Sequence, residues 1–220
     1  SNGGADADIV VLAEGVTKVF PGTVALDQVD FHVRRGKVNA LVGENGAGKS
    51  TLMKILAGIY KPEEGRILFD GEEVSFRNAS EALDKGISTI YQELLLCPNL
   101  TVAENMFLGR EPITGPFLSN QVVAESRRQL ERVGFKDIKP NARVADLTVA
   151  QQQMVEIAKA LALDSSVIIM DEPTSSLTPG EVKHLFSAMQ QPKAQGKAII
   201  FISHRLDEAS EVADHIPPLR

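Results

Sequence analysis

Short apolar runs of strand length alternate along the chain with turns and with stretches of helical character. An apolar run bounded by turn residues is typical of a buried β-strand, and its length separates it from a helix. Such runs lie at 9–14, 25–33, 38–42, 67–69, 87–90, 167–171 and 198–203. Their alternation with helices predicts an α/β fold around a largely parallel sheet.

The pattern changes between Gln92 and Leu163, where strand-like runs disappear. Helical periodicity appears instead at 101–107, 119–133 and 148–163. Thr148 is the expected N-cap of the last stretch, because Gln151 follows three residues later as in a capping box. We therefore predict an inserted helical subdomain in this part of the chain.

These changes define a predicted domain organisation. We expect a helical subdomain at 93–163 within an α/β core formed by 9–92 and 164–220. Residues 1–8 are polar and lack the regions of a signal peptide, so we expect a disordered end there. Pro217 and Pro218 interrupt an expected last strand, and we interpret the chain as part of a longer protein, truncated at its C-terminus.

Composition and charge narrow the possible functions. The 220 residues are 43% hydrophobic and 24% charged, which is typical of a globular domain, and every apolar run is too short to cross a bilayer. A net charge of -6 argues against nucleic acid as a main partner, because nucleic acid attracts a basic surface. Cys97 is the only cysteine, so no disulfide can form within the chain, and we expect a cytosolic environment.

The most specific motif is a glycine-rich loop at 43–50, which reads Gly-Glu-Asn-Gly-Ala-Gly-Lys-Ser directly after the apolar run at 38–42. This is the GxxxxGKS pattern of a phosphate-binding loop between a strand and a helix, and the full pattern leaves little room for an ordinary turn. Glycines allow the backbone N–H groups and the start of the helix at 49–57 to surround the β- and γ-phosphates of a nucleotide. The predicted nucleotide contacts come from Gly43, Glu44, Asn45, Gly46, Ala47, Gly48, Lys49, Ser50 and Thr51.

Two acidic residues, Asp171 and Glu172, follow the apolar run Val-Ile-Ile-Met. In open α/β sheets, ligands bind at the carboxyl ends of the strands. Taken alone, this pattern could equally be a solvated turn. In a chain that also has a phosphate loop, it predicts a site that binds metal and catalyses hydrolysis. We expect Asp171 to bind Mg²⁺ together with Ser50, and Glu172 to orient and deprotonate the water that attacks the γ-phosphorus.

Further motifs occur in a recognisable order. Residues 171–178 read Asp-Glu-Pro-Thr-Ser-Ser-Leu-Thr, Gln92 follows Ile-Tyr, and His204 follows an apolar strand. With the loop at 43–50, they resemble the Walker B motif and D-loop, the Q-loop, the H-loop and the Walker A motif of ATP-binding cassette (ABC) ATPases. The resemblance covers nearly all of 9–216. It implies a P-loop NTPase with a RecA-like core, an antiparallel β layer and an inserted helical subdomain.

The resemblance also implies roles for single residues. Phe20 would stack on adenine, Gln92 would reach Mg²⁺ or the attacking water, and His204 would bind the γ-phosphate. Without the family, these would be an ordinary packing aromatic, a surface glutamine and a structural histidine. The predicted catalytic residues are Lys49, Gln92, Glu172 and His204, and the predicted metal site consists of Ser50, Gln92 and Asp171.

The signature loop departs from the family pattern. Leu-Thr-Val-Ala-Gln stands at 147–151, where the family has Leu-Ser-Gly-Gly-Gln. In the family, this loop clasps the γ-phosphate of an ATP held by the opposing cassette, so Thr148 and Gln151 are predicted to contact nucleotide. Val149 resists positive φ and adds bulk, which predicts a weak site. Thr178 likewise stands where the D-loop commonly has Asp, which affects communication between the two sites.

Segments at 91–94, 100–111 and 151–161 are similar to monosaccharide-import ATPases of the ribose, galactose and xylose type, in which two cassettes are fused. The chain resembles the first cassette. This implies an ATPase that uses ATP and Mg²⁺ to power sugar import, peripheral on the cytoplasmic face of the membrane. The implied partners are a second cassette in cis or in a homodimer, transmembrane permease subunits that contact 92–109, and indirectly a sugar-binding protein. Because the second cassette usually has an altered phosphate loop, we expect one hydrolytic and one structural site per pair.

Other functions stay open. A soluble cassette that acts in DNA repair or on ribosomes fits less well, because the chain is acidic and has no long coiled-coil insertion. A nucleotide-binding module without turnover of its own is consistent with a chain that holds half of each composite site. A P-loop kinase would leave Gln92, 147–151 and His204 without roles.

Overall fold

The computed structural model describes residues 8–44, 48–109 and 120–217. The strands are β1 (Ile9–Phe20), β2 (Thr23–Arg34), β3 (Val38–Val42), β4 (Glu64–Phe69), β5 (Glu72–Val74), β6 (Ile87–Ile90), β7 (Val167–Asp171) and β8 (Ala198–Ser203). The helices are α1 (Lys49–Leu56), α2 (Ala79–Lys85), α3 (Val102–Phe107), α4 (Asn120–Arg132), α5 (Val149–Leu161), α6 (Pro179–Ala194) and α7 (Leu206–Val212), with a 3-10 turn at Val144–Asp146. The disordered end predicted at 1–8 lies, except for Asp8, outside the described residues.

All seven predicted strands are present, and β1 is longer than predicted. The sequence interpretation ended this strand at Glu14, because Gly15 follows it. In the structure, the pairing of β1 with β2 shifts register between Ala13 and Val16, and Gly15 has a φ of 58°. A glycine in this conformation is typical of a β-bulge, which lets the strand continue to Phe20.

Four elements were not predicted: β5, α2, α6 and α7. Helix α2 begins at an N-cap, Asn78, whose Oδ1 accepts the Glu81 N–H at 3.0 Å. Helix α6 begins after Thr178, whose Oγ1 accepts the Glu181 N–H at 3.4 Å while Glu181 Oε2 accepts the Thr178 N–H at 2.7 Å, so the residue that departs from the D-loop pattern caps a helix. Pro192 lies inside α6 and breaks its helical pattern in the sequence.

Two four-stranded sheets organise the strands. One has the order β2-β1-β4-β5 with antiparallel pairing. The other has the order β3-β8-β7-β6, and β8 pairs in parallel with both β3 and β7. The predicted antiparallel layer and largely parallel core are therefore confirmed. The expected strand at 215 is a single parallel bridge, in which the Ala40 N–H donates to the His215 carbonyl at 2.8 Å.

Contacts within the chain define two compact units. The first contains residues up to Thr89, Asp164–Glu172 and residues from Pro192 onward, and it holds most of both sheets with α1, α2 and α7. The second contains Ile90–Leu163 and Pro173–Gln191, and its helices α3, α4 and α5 contact one another. The predicted subdomain boundaries stay a prediction.

Both sheets contribute to one hydrophobic core in the first unit. Leu52, Met53, Ile55 and Leu56 of α1 belong to the same buried cluster as residues of β1, β2, β4, β7 and β8. Each fully buried aliphatic side chain stabilises the fold by about 1.5–3 kcal/mol relative to an exposed one. Within the described ranges, no helix combines the length and apolar character needed to span a membrane.

A buried polar side chain, Asn39, links the two sheets. It is fully buried at the start of β3, and its Oδ1 accepts the Arg34 N–H at 2.9 Å, at the end of β2. Its Nδ2 donates to the carbonyls of Arg34, Lys37 and Ile199 at 3.1, 3.2 and 3.3 Å. These contacts join β2, β3 and β8.

Asn39→Ala should destabilise the protein more than an asparagine substitution at a helix cap. It leaves several partly buried backbone groups without a partner, which costs roughly 2–3 kcal/mol. The melting temperature should fall by about 4–12 °C, measured by circular dichroism. Asn78→Ala is the matched control, because loss of its N-cap costs about 1 kcal/mol. An equal or smaller effect at Asn39 would contradict the proposed link between the sheets.

Candidate functional site

The start of α1 is built to receive an anion. Gly48 is its N-cap with a φ of 82°, and a glycine has no side chain with which to cap the helix. A Cβ at Gly48 would lie 2.6 Å from Leu26 Cδ2 and 2.7 Å from the Ala25 carbonyl oxygen, so the position requires glycine. The first N–H groups of a helix lack intrahelical partners, and a phosphate group satisfies them.

Lys49, the first residue of α1, directs its ammonium group to the two residues that follow β3. The residue is 6% exposed, and its Nζ donates to the Gly43 carbonyl and, at 2.7 Å, to the Glu44 carbonyl. A buried ammonium group needs such acceptors. Phosphate oxygens are negatively charged and are therefore stronger acceptors than these carbonyl oxygens.

Asp171 ends β7, and its surroundings suit a cation. Burial and, second, the negative charge of Glu172 raise the pKa of the Asp171 carboxyl, whereas the positive charges of Lys54 and Lys49 lower it. The net direction is upward, so ionised Asp171 lacks full compensation. A divalent cation beside this carboxylate would supply it.

Glu172 and His204 are joined at the ends of neighbouring strands. His204 Nδ1 lies 3.0 Å from Glu172 Oε1, and the Glu172 side chain is 15% exposed. Glu172 has a φ of 48°, and its N–H donates to the Ile202 carbonyl at 3.1 Å. A left-handed conformation costs a non-glycine residue about 1–3 kcal/mol and is common at functional sites.

Phe20 lies at the tip of the β1–β2 hairpin. Its ring contacts Tyr60 edge to face, with centroids 5.3 Å apart, and Lys18 Nζ is 5.4 Å from its centroid. The hairpin adjoins the phosphate loop, because Ala25 and Leu26 lie against Gly48. The structure therefore places Phe20, Lys49, Asp171, Glu172 and His204 in the first unit.

Other predicted site residues belong to the second unit. Gln92 is exposed in the loop after β6. Thr148 Oγ1 accepts the Gln151 N–H at 3.2 Å and Gln151 Oε1 accepts the Thr148 N–H at 3.0 Å, so the predicted capping box is confirmed. The nucleotide contacts that the sequence predicts for these three residues stay predictions.

Two more predicted contacts, Ser50 and Thr51, lie in the first turn of α1, where Ser50 is exposed and Thr51 half-buried. Asn45, Gly46 and Ala47 lie outside the described residues.

Sequence reasoning missed Lys54 and Tyr60. Lys54 lies on α1 and acts electrostatically on Asp171, and its Nζ is 5.6 Å from the centroid of the Tyr60 ring. A second lysine on the helix that follows a phosphate loop was a usable signal for Lys54. Tyr60 carries no motif, and only the tertiary structure brings it to Phe20.

The donor set fits Mg²⁺ bound together with nucleotide. Within 8–44, 48–109 and 120–217, no group of three or more His, Cys, Asp or Glu side chains could hold a metal ion. Mg²⁺ in nucleotide sites needs few protein ligands, because phosphate oxygens and water complete its octahedron. The Ser50 hydroxyl and the Asp171 carboxylate are oxygen ligands of this kind.

Comparison with known sequences identifies relatives. The family model described as "ABC transporter" matches residues 26–175. A putative ribose/galactose/methyl galactoside import ATP-binding protein of Geobacillus kaustophilus is 52% identical over 216 residues, which are 97% of this chain and 43% of that protein. One from Burkholderia cenocepacia is 52% identical over 217 residues, 98% of this chain and 42% of that protein. The chain thus spans less than half the length of these relatives.

Solved structures agree with the sequence comparison. A nucleotide-free ATP-binding cassette from an ABC transporter superposes with a TM-score of 0.83 at 28% identity, covering 94% of this chain and 86% of that chain. An ABC transporter cassette in its ADP conformation gives a TM-score of 0.82 at 29% identity, with the same coverage. The P-loop NTPase fold and the family resemblance predicted from the sequence are confirmed, and the chain belongs to the ABC transporter family as one of its ATP-binding cassettes.

Proposed function

We propose that this chain binds ATP with Mg²⁺, hydrolyses it and thereby powers the import of a monosaccharide through a membrane ABC transporter. One observation carries the proposal: a helix start with a glycine N-cap and a buried lysine occurs in the same unit as Asp171 and the Glu172–His204 pair. Relatives named as sugar import ATP-binding proteins support import as the direction of transport and a monosaccharide as the transported molecule.

The phosphate loop supplies binding. Lys49 exchanges its carbonyl partners, Gly43 and Glu44, for phosphate oxygens, while the N–H groups at the start of α1 bind the same phosphates. Ser50 and Asp171 hold Mg²⁺, which neutralises charge on the phosphate oxygens. Phe20 stacks on the adenine base, and Gln92 contacts Mg²⁺ or the attacking water.

The Glu172–His204 pair supplies the chemistry of hydrolysis. His204 Nδ1 binds Glu172 Oε1 and so fixes the plane of the carboxylate. We assign the other oxygen, Oε2, to the water: Glu172 accepts a proton from it as the water oxygen bonds to the γ-phosphorus, the bond from that phosphorus to the β–γ bridging oxygen breaks, and ADP leaves with phosphate as the second product. His204 also donates from Nε2 to the γ-phosphate, so that each ring nitrogen donates to one acceptor, and this contact orients the phosphate relative to that water.

The composite site requires a partner. We assign Thr148 and Gln151 to the γ-phosphate of an ATP held by a second cassette, in cis or in a homodimer. Val149, the first residue of α5, is 59% exposed and occupies the place of a glycine in the family motif. This favours one hydrolytic and one structural site per pair, and it makes a nucleotide-binding module without turnover of its own the second candidate function.

The remaining partners follow from the transporter. The second unit, around 92–109, contacts a transmembrane permease at the cytoplasmic face of the membrane, where the chain is peripheral. A sugar-binding protein acts through that permease, and nucleic acid has no part in the reaction.

Substitutions at Glu172 and Lys49 should separate binding from hydrolysis. Glu172→Gln removes the base, so ATP turnover should fall by about 10²-fold or more while ATP still binds. Lys49→Ala removes a charged contact to phosphate, so ATP affinity should fall by roughly 10- to 100-fold. Phosphate release and calorimetric ATP titration measure the two effects.

Lys136→Ala, an exposed lysine in the second unit, is the matched control and should behave as wild type. If the Glu172→Gln variant hydrolyses ATP at the wild-type rate, Glu172 is not the base. ATP binding without turnover in the wild type would favour the second candidate function, and absence of ATP binding would overturn both.

Asp171→Asn should stabilise the nucleotide-free protein and abolish its response to Mg²⁺. Because folding raises the pKa of Asp171, its contribution to stability is present at low pH and is lost as pH rises through that pKa. At neutral pH, we expect Asn to raise the melting temperature by roughly 2–4 °C. The difference should shrink as the pH is lowered.

Asp137→Asn, an exposed site, is the control. Melting scans with and without MgATP measure both effects. A variant that Mg²⁺ still stabilises in the presence of ATP would exclude Asp171 as a metal ligand.

Restoring glycine in the signature loop should raise ATP turnover. Val149→Gly combined with Ala150→Gly opens the start of α5 to phosphate, and we expect roughly a tenfold gain in a pair of cassettes whose facing site has an intact phosphate loop. A homodimer at high concentration offers that arrangement. Lys159→Gly controls for lost helix propensity, about 1 kcal/mol per glycine. Unchanged turnover at full nucleotide saturation would show that Val149 does not limit the site.

A further inference from the structure

An aromatic and cationic cluster surrounds Phe20 on the first unit. The Tyr60 ring meets Phe20 at an interplanar angle of 69°, with centroids 5.3 Å apart. Lys18 Nζ lies 5.4 Å from the Phe20 centroid and 5.9 Å from the Tyr60 centroid, so one ammonium group contacts both rings. Lys54 Nζ lies 5.6 Å from the Tyr60 centroid. We call Lys18, Phe20, Lys54 and Tyr60 the base-side cluster.

Hydrogen bonds attach this cluster to the helix that follows the phosphate loop and to the segment after that helix. The Tyr60 N–H donates to the Lys54 carbonyl at 3.2 Å, which fixes Tyr60 directly after α1. Glu63 Oε1 accepts Lys18 Nζ at 2.7 Å, and its Oε2 accepts the Val19 N–H at 3.0 Å. The segment after α1 therefore holds the last residues of β1 in place.

We propose that Tyr60 is a positioning residue for the adenine base: it holds the ring of Phe20 in the orientation in which the base stacks. This inference rests on the proposed function, since it assumes that ATP binds at the phosphate loop. A ring at a hairpin tip otherwise samples several rotamers, and base binding would have to order it. The edge-to-face contact with Tyr60 orders the ring before the ligand arrives.

Lys18 lies over both aromatic rings and stabilises their edge-to-face contact. A cation is attracted to the negative face of an aromatic ring, so Lys18 covers the pair and resists their separation. Its bond to Glu63 keeps it there. Tyr60 and Lys18 thus act through Phe20 and on the base alone, whereas Lys49 acts on the phosphates.

Comparison of two ligands tests this assignment. MgATP carries adenine on ribose, and magnesium tripolyphosphate offers a chain of three phosphates without the base and the ribose. We expect Tyr60→Ala to weaken MgATP binding by about threefold to tenfold and to leave tripolyphosphate binding unchanged. Tyr60→Phe keeps the ring and should bind MgATP as wild type does. Calorimetry with each ligand gives the dissociation constants.

A double-mutant cycle shows whether Tyr60 influences MgATP affinity through Phe20. If Tyr60 acts through Phe20, then Tyr60→Ala should add no loss of MgATP affinity to Phe20→Ala. Ile59→Ala, at the neighbouring exposed residue, is the matched control and should change neither affinity. Tyr60→Leu retains apolar volume and replaces the alanine variant if circular dichroism shows that the latter unfolds.

Each outcome decides between roles. An equal loss for both ligands would make Tyr60 a purely structural residue and overturn the proposal, as would additive losses or unchanged MgATP binding. A wild-type protein that binds neither ligand would instead overturn the proposed function. If the wild-type protein binds MgATP no more tightly than magnesium tripolyphosphate, Phe20 does not stack on the base. The positioning role of Tyr60 is then contradicted as well.

Discussion

The burial of α1 is the constraint on which the rest of the structure depends. Its apolar side chains belong to the core that both sheets share, so the helix has one position relative to the strands. Its first residue is a lysine, and its N-cap is a glycine, which has no side chain with which to cap the helix. A helix end without a cap is tolerable where a ligand completes it. Hydrophobic packing at one end of α1 therefore determines where phosphate binds at the other, and Asn39 holds the two sheets in the matching arrangement.

A strained backbone conformation and a charge imbalance occur side by side at the end of β7. Asp171 is held where burial and a neighbouring carboxylate oppose its ionised form, and Glu172 adopts a left-handed backbone conformation. Both features cost stability. The apolar, buried residues of β7 and of its neighbour β8 supply the stability that holds these residues in position. Stability and activity therefore impose opposite demands on adjacent residues of this strand.

Sequence reasoning recovered the features that local chemistry determines. The strand and helix on either side of the phosphate loop, the acidic end of β7 and the Thr148–Gln151 capping box are each defined by residue types at fixed spacing, and these elements lie where the pattern predicted. Helices α6 and α7 were missed, because Pro192 interrupts the first and the second is a short helix with an exposed Leu206. Tyr60 was missed for a different reason: its partner lies forty positions away in the sequence, and only the packing of the hairpin on the segment after α1 joins them.

The close fit of Gly48 has a consequence for ligand selection. Because the backbone at Ala25 and the side chain of Leu26 lie against this glycine, the hairpin that carries Phe20 packs on the start of α1 with no room for a Cβ between them. This packing sets the separation between the Phe20 ring and the start of α1 in the folded chain. Under the proposed function, a ligand has to span that separation to reach both the ring and the phosphate site, and a shorter molecule reaches only one of them.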